Sequence, residues 1–291
     1  MFHGLSAFPL TPTGEDGIDS NSYARLVARV AAAGVDSIGA LGSTGGYAYL
    51  TREERAHAVK IAVEAAGGTP VMAGIGALRT SHVLALAEDA QNAGVSAVLL
   101  APMTYQPLTD DEVFGLFADV TRELSVPLCV YDNPGTTHVR FSDELHGRIA
   151  QLPNVGSIKV PGVPGPAQAR IDALRALVPG TVTIGVSGDW TAAGGLTAGA
   201  DVWYSVLGGT FPSTALAITR AAQAGTAAGL SEELEPLWTL FRRHGSLRVM
   251  SAAASHLGLT GEPNLPRPLR GLDEAARREV VDVLTALGLT S

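Results

Sequence analysis

Ala93-Gly94-Val95-Ser96-Ala97-Val98-Leu99-Leu100-Ala101-Pro102 holds the architecture of the whole chain in one short phrase. A glycine ends a helix, an apolar run follows, and a proline turns the chain out again. Gly94 stands where a helix C-cap needs a left-handed residue, and the run after it is apolar throughout, as a strand covered on both faces must be. The phrase recurs at Ala33-Gly34-Val35-Asp36 and, with variation, at Gly199-Ala200-Asp201-Val202.

Working outward from these junctions, strands are predicted at residues 5–8, 37–41, 71–75, 97–100, 128–131, 155–159, 182–186 and 202–206. Their separation is that of strand–helix units. The helices between them carry their own start signals. Thr51-Arg52-Glu53-Glu54 and Thr109-Asp110-Asp111-Glu112 are capping boxes, and Ser142-Asp143-Glu144 opens another helix. Eight strands alternating with helices predict an α/β fold, a closed (β/α)8 TIM barrel, over residues 1–212. No convincing strand follows. Residues 213–291 are expected to form an appended C-terminal helical bundle packed on the barrel, interrupted around 261–268.

Composition agrees with that plan and narrows the function. Of 291 residues, 46% are hydrophobic but only 5% aromatic, so the core must be built from aliphatic side chains. The net charge of −8, with no basic stripe, speaks against nucleic acid and anionic membranes as partners. No apolar stretch is long enough to span a bilayer, and the N-terminus lacks signal-peptide character, so a cytoplasmic location is expected. The single cysteine, Cys129, lies in an apolar run and reads as a small buried hydrophobe.

In such a barrel the chemistry belongs at the C-terminal ends of the strands. Those ends present Gly42-Ser43-Thr44-Gly45-Gly46, Pro102-Met103-Thr104-Tyr105, Tyr131-Asp132-Asn133-Pro134-Gly135, Lys159, Ser187-Gly188-Asp189 and Gly208-Gly209. Lys159 is the unusual one: a lysine at the end of Val155-Gly156-Ser157-Ile158, with no acid nearby in sequence. An ammonium there is costly unless paired or neutralised, and a neutral amine is the form that attacks a carbonyl. Two readings stand, an ion pair with a carboxylate such as Asp189, or a nucleophile. Tyr131 ends the neighbouring strand and is either a core tyrosine or a proton carrier for the same volume. The Ser43-Thr44 loop offers hydroxyls and amides for a small carboxylate, although as a glycine turn it is a weak motif and lacks the ending of a Walker loop.

Taken together, these residues resemble one family: the pyruvate-dependent Schiff-base lyases that include dihydrodipicolinate synthase and N-acetylneuraminate lyase. The resemblance spans nearly the whole chain. It rests on Gly42-Ser43-Thr44-Gly45, Tyr131 with Asn133-Pro134-Gly135, Ile158-Lys159, Ser187-Gly188-Asp189 and Leu265-Pro266-Arg267-Pro268-Leu269. It implies that Lys159 condenses with the ketone of pyruvate or another 2-oxo acid, while Tyr131 relays protons. It also implies that Ser43 and Thr44 hold the carboxylate, and that Gly188 and the backbone near Tyr204 line the pocket. No metal or organic cofactor is required, and a homotetramer or homodimer is expected.

The departures concern the second substrate. Where the synthase has an arginine after the Pro-Gly, this chain has Thr136; its glutamate after the glycine loop is Gly46 here. Its paired tyrosines are Met103-Thr104, with Tyr105 displaced by one position. A sugar-acid aldolase or dehydratase is therefore the expected activity, with Thr136, Thr137 and His138 available to hydroxyl groups. The alternatives are dihydrodipicolinate synthase itself and a non-catalytic barrel that binds a 2-oxo acid or sugar acid. A metal-dependent aldolase fits poorly with seven dispersed histidines. Gly208-Gly209 raises a phosphate-binding barrel as a further reading.

Overall fold

A computed structural model describes residues 1–162 and 167–289. Eight parallel strands close into a barrel: β1 (Gly4–Ala7), β2 (Ser37–Ala40), β3 (Val71–Gly74), β4 (Ala97–Leu100), β5 (Leu128–Tyr131), β6 (Val155–Pro161), β7 (Thr183–Ser187) and β8 (Val202–Ser205). Each pairs with its neighbour in sequence, and β1 closes the ring by pairing with β8. The predicted strands are all present, with ends shifted by a residue or two. The largest difference is in β6. It runs on to Pro161, because Val160 and Pro161 still register with Val186 and Ser187 of β7, so Lys159 stands inside the strand rather than at its end.

Helices cover the outside of the ring. Arg52–Ala65 and Asp110–Arg122 open on complete capping boxes at Thr51 and Thr109, and Ser142 caps Asp143–Ala150. These caps satisfy amides that the first helical turn leaves without partners. After β8 the Pro212–Gln223 helix packs back on β1, and the helices Ala228–Glu233, Glu235–His244, Ser246–His256 and Glu274–Ala286 follow. Among the described residues no strand lies beyond β8.

Strand alternation divides the apolar residues into two cores. Outward-facing Val130, Ile158, Val160, Ile184 and their equivalents pack under the helices. Inward-facing Met72, Ala97, Leu99, Cys129, Tyr131, Val202 and Tyr204 fill the ring together with Phe2 and Phe8. Two inward positions are glycines because bulky rings lie against them. A methyl group on Gly39 would strike the Phe8 ring, and one on Gly185 would strike Tyr204 and Val202.

This interior is therefore sensitive to single carbons. Gly185→Ala is expected to cost about 1–3 kcal/mol by overpacking, read as a lower urea midpoint at unchanged slope. Gly180→Ala, where an added Cβ meets nothing within 4 Å, is the control. It should stay within about 0.5 kcal/mol of the parent.

Candidate active site

The register of the barrel assembles the site. Tyr131 of β5 lies directly across from Lys159 of β6, so both side chains enter the ring at the same height. Lys159 is only 4% exposed. Its Nζ lies 4.0 Å from the ring centroid of Phe8, 4.1 Å from that of Tyr131 and 5.4 Å from that of Tyr204. Among the described residues no carboxylate pairs with it. The ion-pair reading fails for a specific reason: Asp189 is fully engaged elsewhere. Its Oδ1 accepts from the Trp203 indole at 2.9 Å and the Val206 amide at 3.2 Å, and its Oδ2 accepts from the Leu207 amide at 2.7 Å.

The Tyr131 hydroxyl is held between two partners. The Asn133 side-chain amide donates to it at 2.7 Å, and Ser43 Oγ lies 3.2 Å away. Because Asn133 can only donate here, the phenol is free to direct its own proton toward Ser43 and the cavity. Ser43 and Thr44 stand in a tight turn in which the Gly45 and Gly46 amides bond back to Gly42 and Ser43. The turn is entered through Leu41, whose φ of 56° is left-handed, a strained conformation for a branched side chain. The amides of Ser43 and Thr44 meet no acceptor among the described residues. Both residues line the cavity.

These groups line one cavity of about 600 Å³ at the mouth of the ring. Of the expected site residues, Lys159, Tyr131, Ser43, Thr44, Gly188, Tyr204 and Thr136 all line it. Gly188, at φ 85°, turns the chain from β7 into the Asp189–Thr197 helix, a conformation that favours glycine. Tyr204 lines it together with Val206, and its hydroxyl lies 2.6 Å from Ser157 Oγ. Tyr105 is a correction: it is 89% exposed and lies outside the lining, because the Met103–Leu108 loop carries it outward. His138 caps the short Pro134–Thr137 helix and is likewise outside. Gly208-Gly209 is barrel wall rather than a phosphate loop, since Gly209 is pressed against the Phe8 backbone.

Several lining residues carried no recognisable signal. Phe8 follows β1 and forms the floor beside Lys159. Tyr47 is buried beside the Ser43 turn, with the Arg55 guanidinium 5.2 Å from its ring centroid. Burial first, then the neighbouring Tyr131, pushes the Tyr47 phenol up to about 12, against the pull of Arg55. From the C-terminal helices come Phe241, Leu247 and Arg248. No group of three or more His, Cys, Asp or Glu among the described residues is placed to hold a metal.

Comparison with known proteins follows this geometry. The family model described as the dihydrodipicolinate synthetase family matches residues 1–287. A 4-hydroxy-tetrahydrodipicolinate synthase of Phenylobacterium zucineum is 30% identical over 298 residues, covering 99% of this chain and 98% of its own. A crystal structure of a dihydrodipicolinate synthase from Agrobacterium tumefaciens superposes with a TM-score of 0.95 at 47% identity, over 98% of both chains. One from Acinetobacter baumannii, complexed with pyruvate, superposes with a TM-score of 0.90 at 27% identity over 99% of both.

Asp189 generates a stability prediction. Burial pushes its carboxyl up from 3.8 to about 6, against the opposing Leu207 and Val206 amides, the Trp203 indole and Lys159. The fold thus favours the protonated form. The contribution of this group to stability is full below about pH 4 and declines as pH rises through 6. Asp189→Asn, which cannot ionise, should flatten that decline in denaturant titrations. Asp189→Ala leaves three donors buried without an acceptor and should cost at least about 2 kcal/mol at any pH.

Proposed function

The chain belongs to the dihydrodipicolinate synthetase family, whose members are pyruvate-dependent lyases that work through a lysine Schiff base, and from this we propose that Lys159 is the lysine that forms it. The observation that carries the proposal is a buried amine without a counter-ion, beside a phenol held by Asn133 and Ser43. The amine adds to the C2 ketone of pyruvate. Loss of water from the carbinolamine gives the imine, and loss of a C3 proton gives an enamine. Tyr131 carries protons to and from the carbinolamine oxygen. The Ser43 and Thr44 amides and hydroxyls receive the carboxylate. Phe8 and the Tyr204 ring wall the amine off from water.

The enamine carbon is the nucleophile for an aldehyde, and reversal of that step is cleavage. The names of the similar proteins favour a synthase that condenses, over the sugar-acid aldolase or dehydratase expected from Thr136, Gly46 and Met103-Thr104. That expectation rested on missing residues. The pyruvate complex of the Acinetobacter baumannii relative supports pyruvate as the first substrate. Assembly as a homotetramer or homodimer is part of the proposal and rests on the resemblance. No helix among the described residues is long and apolar enough to cross a membrane.

Borohydride reduction in the presence of pyruvate is the test. A stable mass increase is expected on the peptide containing Lys159, and none in Lys159→Met. The absence of an adduct with pyruvate or other 2-oxo acids would overturn the reading in favour of a binding protein. Tyr131→Phe should slow adduct formation by about 10²- to 10⁴-fold. Asn133→Ala, which removes one hydrogen bond to the phenol, should slow it by about tenfold.

A further inference from the structure

Directly behind Tyr131 lies a buried ionisable pair that the Schiff-base chemistry does not use. Alternation along β5 turns Val130 away from the ring and under the helices, and the next outward position is Asp132. Asp132 is only 5% exposed. Facing it from the Asp143–Ala150 helix is His146, which is fully buried. His146 Nε2 lies 3.4 Å from Asp132 Oδ2. Asp132 Oδ1 and both nitrogens of the imidazole have no hydrogen-bond partner among the described residues.

A carboxylate in such a place is costly unless compensated, and the imidazole is what faces it. Packing alone does not call for either group, since the other buried residues on this face of the helix, Leu145 and Ile149, are aliphatic. The position of Asp132 in the chain gives the pair its consequence. It stands between Tyr131 and Asn133, whose side-chain amide donates to the Tyr131 phenol at 2.7 Å. Its own backbone amide donates to the Lys159 carbonyl at 2.9 Å. A shift of Asp132 therefore moves the phenol, the amide that orients it and the link to Lys159 together. His146 is itself held from behind. Its ring stacks on Phe141 at 5.0 Å between centroids, and Phe141 meets Phe117 edge-on at 6.1 Å.

We propose that Asp132 and His146 are a positioning pair, which fixes the Tyr131 phenol against the Lys159 amine through the strand end between them. Neither residue lines the cavity, so neither touches the substrate. They act through the backbone that joins Tyr131 to Asn133 and through the Asp132 amide on Lys159. The effect on the reaction rests on the Schiff-base reading; the tie between helix and strand end does not. A displacement of about 1 Å at reacting groups costs up to about a hundredfold in rate, so the hold need not be strong to matter.

The test places His146→Leu and Asp132→Asn each in wild type and in Tyr131→Phe, and follows the rate of borohydride trapping of pyruvate. In wild type each substitution should lower the rate at saturating pyruvate about tenfold. The half-saturating pyruvate concentration should stay within about twofold, because Ser43 and Thr44 stand on the turn after β2. In Tyr131→Phe no phenol remains to be positioned, and the same substitutions should change the rate by less than about twofold. An equal loss in both backgrounds marks a general structural role and overturns the assignment, as does an unchanged rate in wild type. Asp132→Asn is close to isosteric and decides the matter if His146→Leu does not fold. Hydrogen exchange reads the position without any chemistry. In either variant the Asp132 amide should lose about tenfold or more of its protection, while the Leu128 amide, bonded to the Asn154 carbonyl at the far end of β5, keeps its own. Retained protection at Asp132 refutes the pair. If wild type traps no pyruvate, the Schiff-base reading falls, and hydrogen exchange alone decides whether Asp132 and His146 hold the strand end.

Discussion

A lysine nitrogen buried among the rings of Phe8, Tyr131 and Tyr204, with no carboxylate to pair it, is the constraint on which the mouth of this barrel depends. Burying an amine is costly, and the usual remedy is an acid. Here the nearest acid in the cavity, Asp189, is withheld by three hydrogen bonds to the β8 end. The ring faces offer partial compensation for positive charge, of the order of 0.5–2 kcal/mol per contact in general. A cationic imine would sit in the same aromatic surroundings as the ammonium. The amine is therefore held in place without being fixed as one arm of a salt bridge.

Packing provides that arrangement. The ring has room for aromatic side chains only where a facing strand has none, which is why Gly39 faces Phe8 and Gly185 faces Tyr204. Below them Cys129, Ser157 and the Tyr204 hydroxyl form a small polar layer, with Ser157 Oγ and Tyr204 Oη 2.6 Å apart. Burial pushes the Cys129 thiol up to about 11, which leaves it an inert part of the wall. Support for the Ser43 turn comes from outside the ring. Arg55 reaches in from its helix to the carbonyls of Gly74 and Gly76 at 2.8 and 2.9 Å, and its guanidinium lies over Tyr47. Surface helix, strand end and active-site loop are thus one mechanical unit.

The division of labour within the cavity follows chain position. The strands and the turn after β2 supply the groups proposed for the keto acid, and the register of β5 and β6 holds Lys159 opposite Tyr131. The outer wall is built from loops and from the C-terminal helices, where Thr136, Leu247 and Arg248 stand. Such a layout lets the second substrate change while the imine chemistry is kept, since loop residues can vary without disturbing the ring.

How much of this could be read from the residues alone depends on the range of the interactions involved. The strand–glycine–helix phrase, the capping boxes at Thr51 and Thr109 and the apolar runs are local, so the eight strands and their order were legible in the sequence. Lys159, Tyr131 and the Ser43-Thr44 turn could be picked out because each lies at the end of a predicted strand. The fate of Asp189 could not, because its partners are 14 to 18 residues away and reach it only after β8 has closed the ring. Tyr105, close to its expected motif position, was carried outward by its loop. Phe8, Tyr47 and Arg248 joined the site through tertiary approach, with no spacing pattern to announce them. Local periodicity determined the barrel, and the resemblance singled out Lys159 on its sixth strand; only the closed structure decided what surrounds that lysine, because burial and counter-ions depend on segments far apart in the chain.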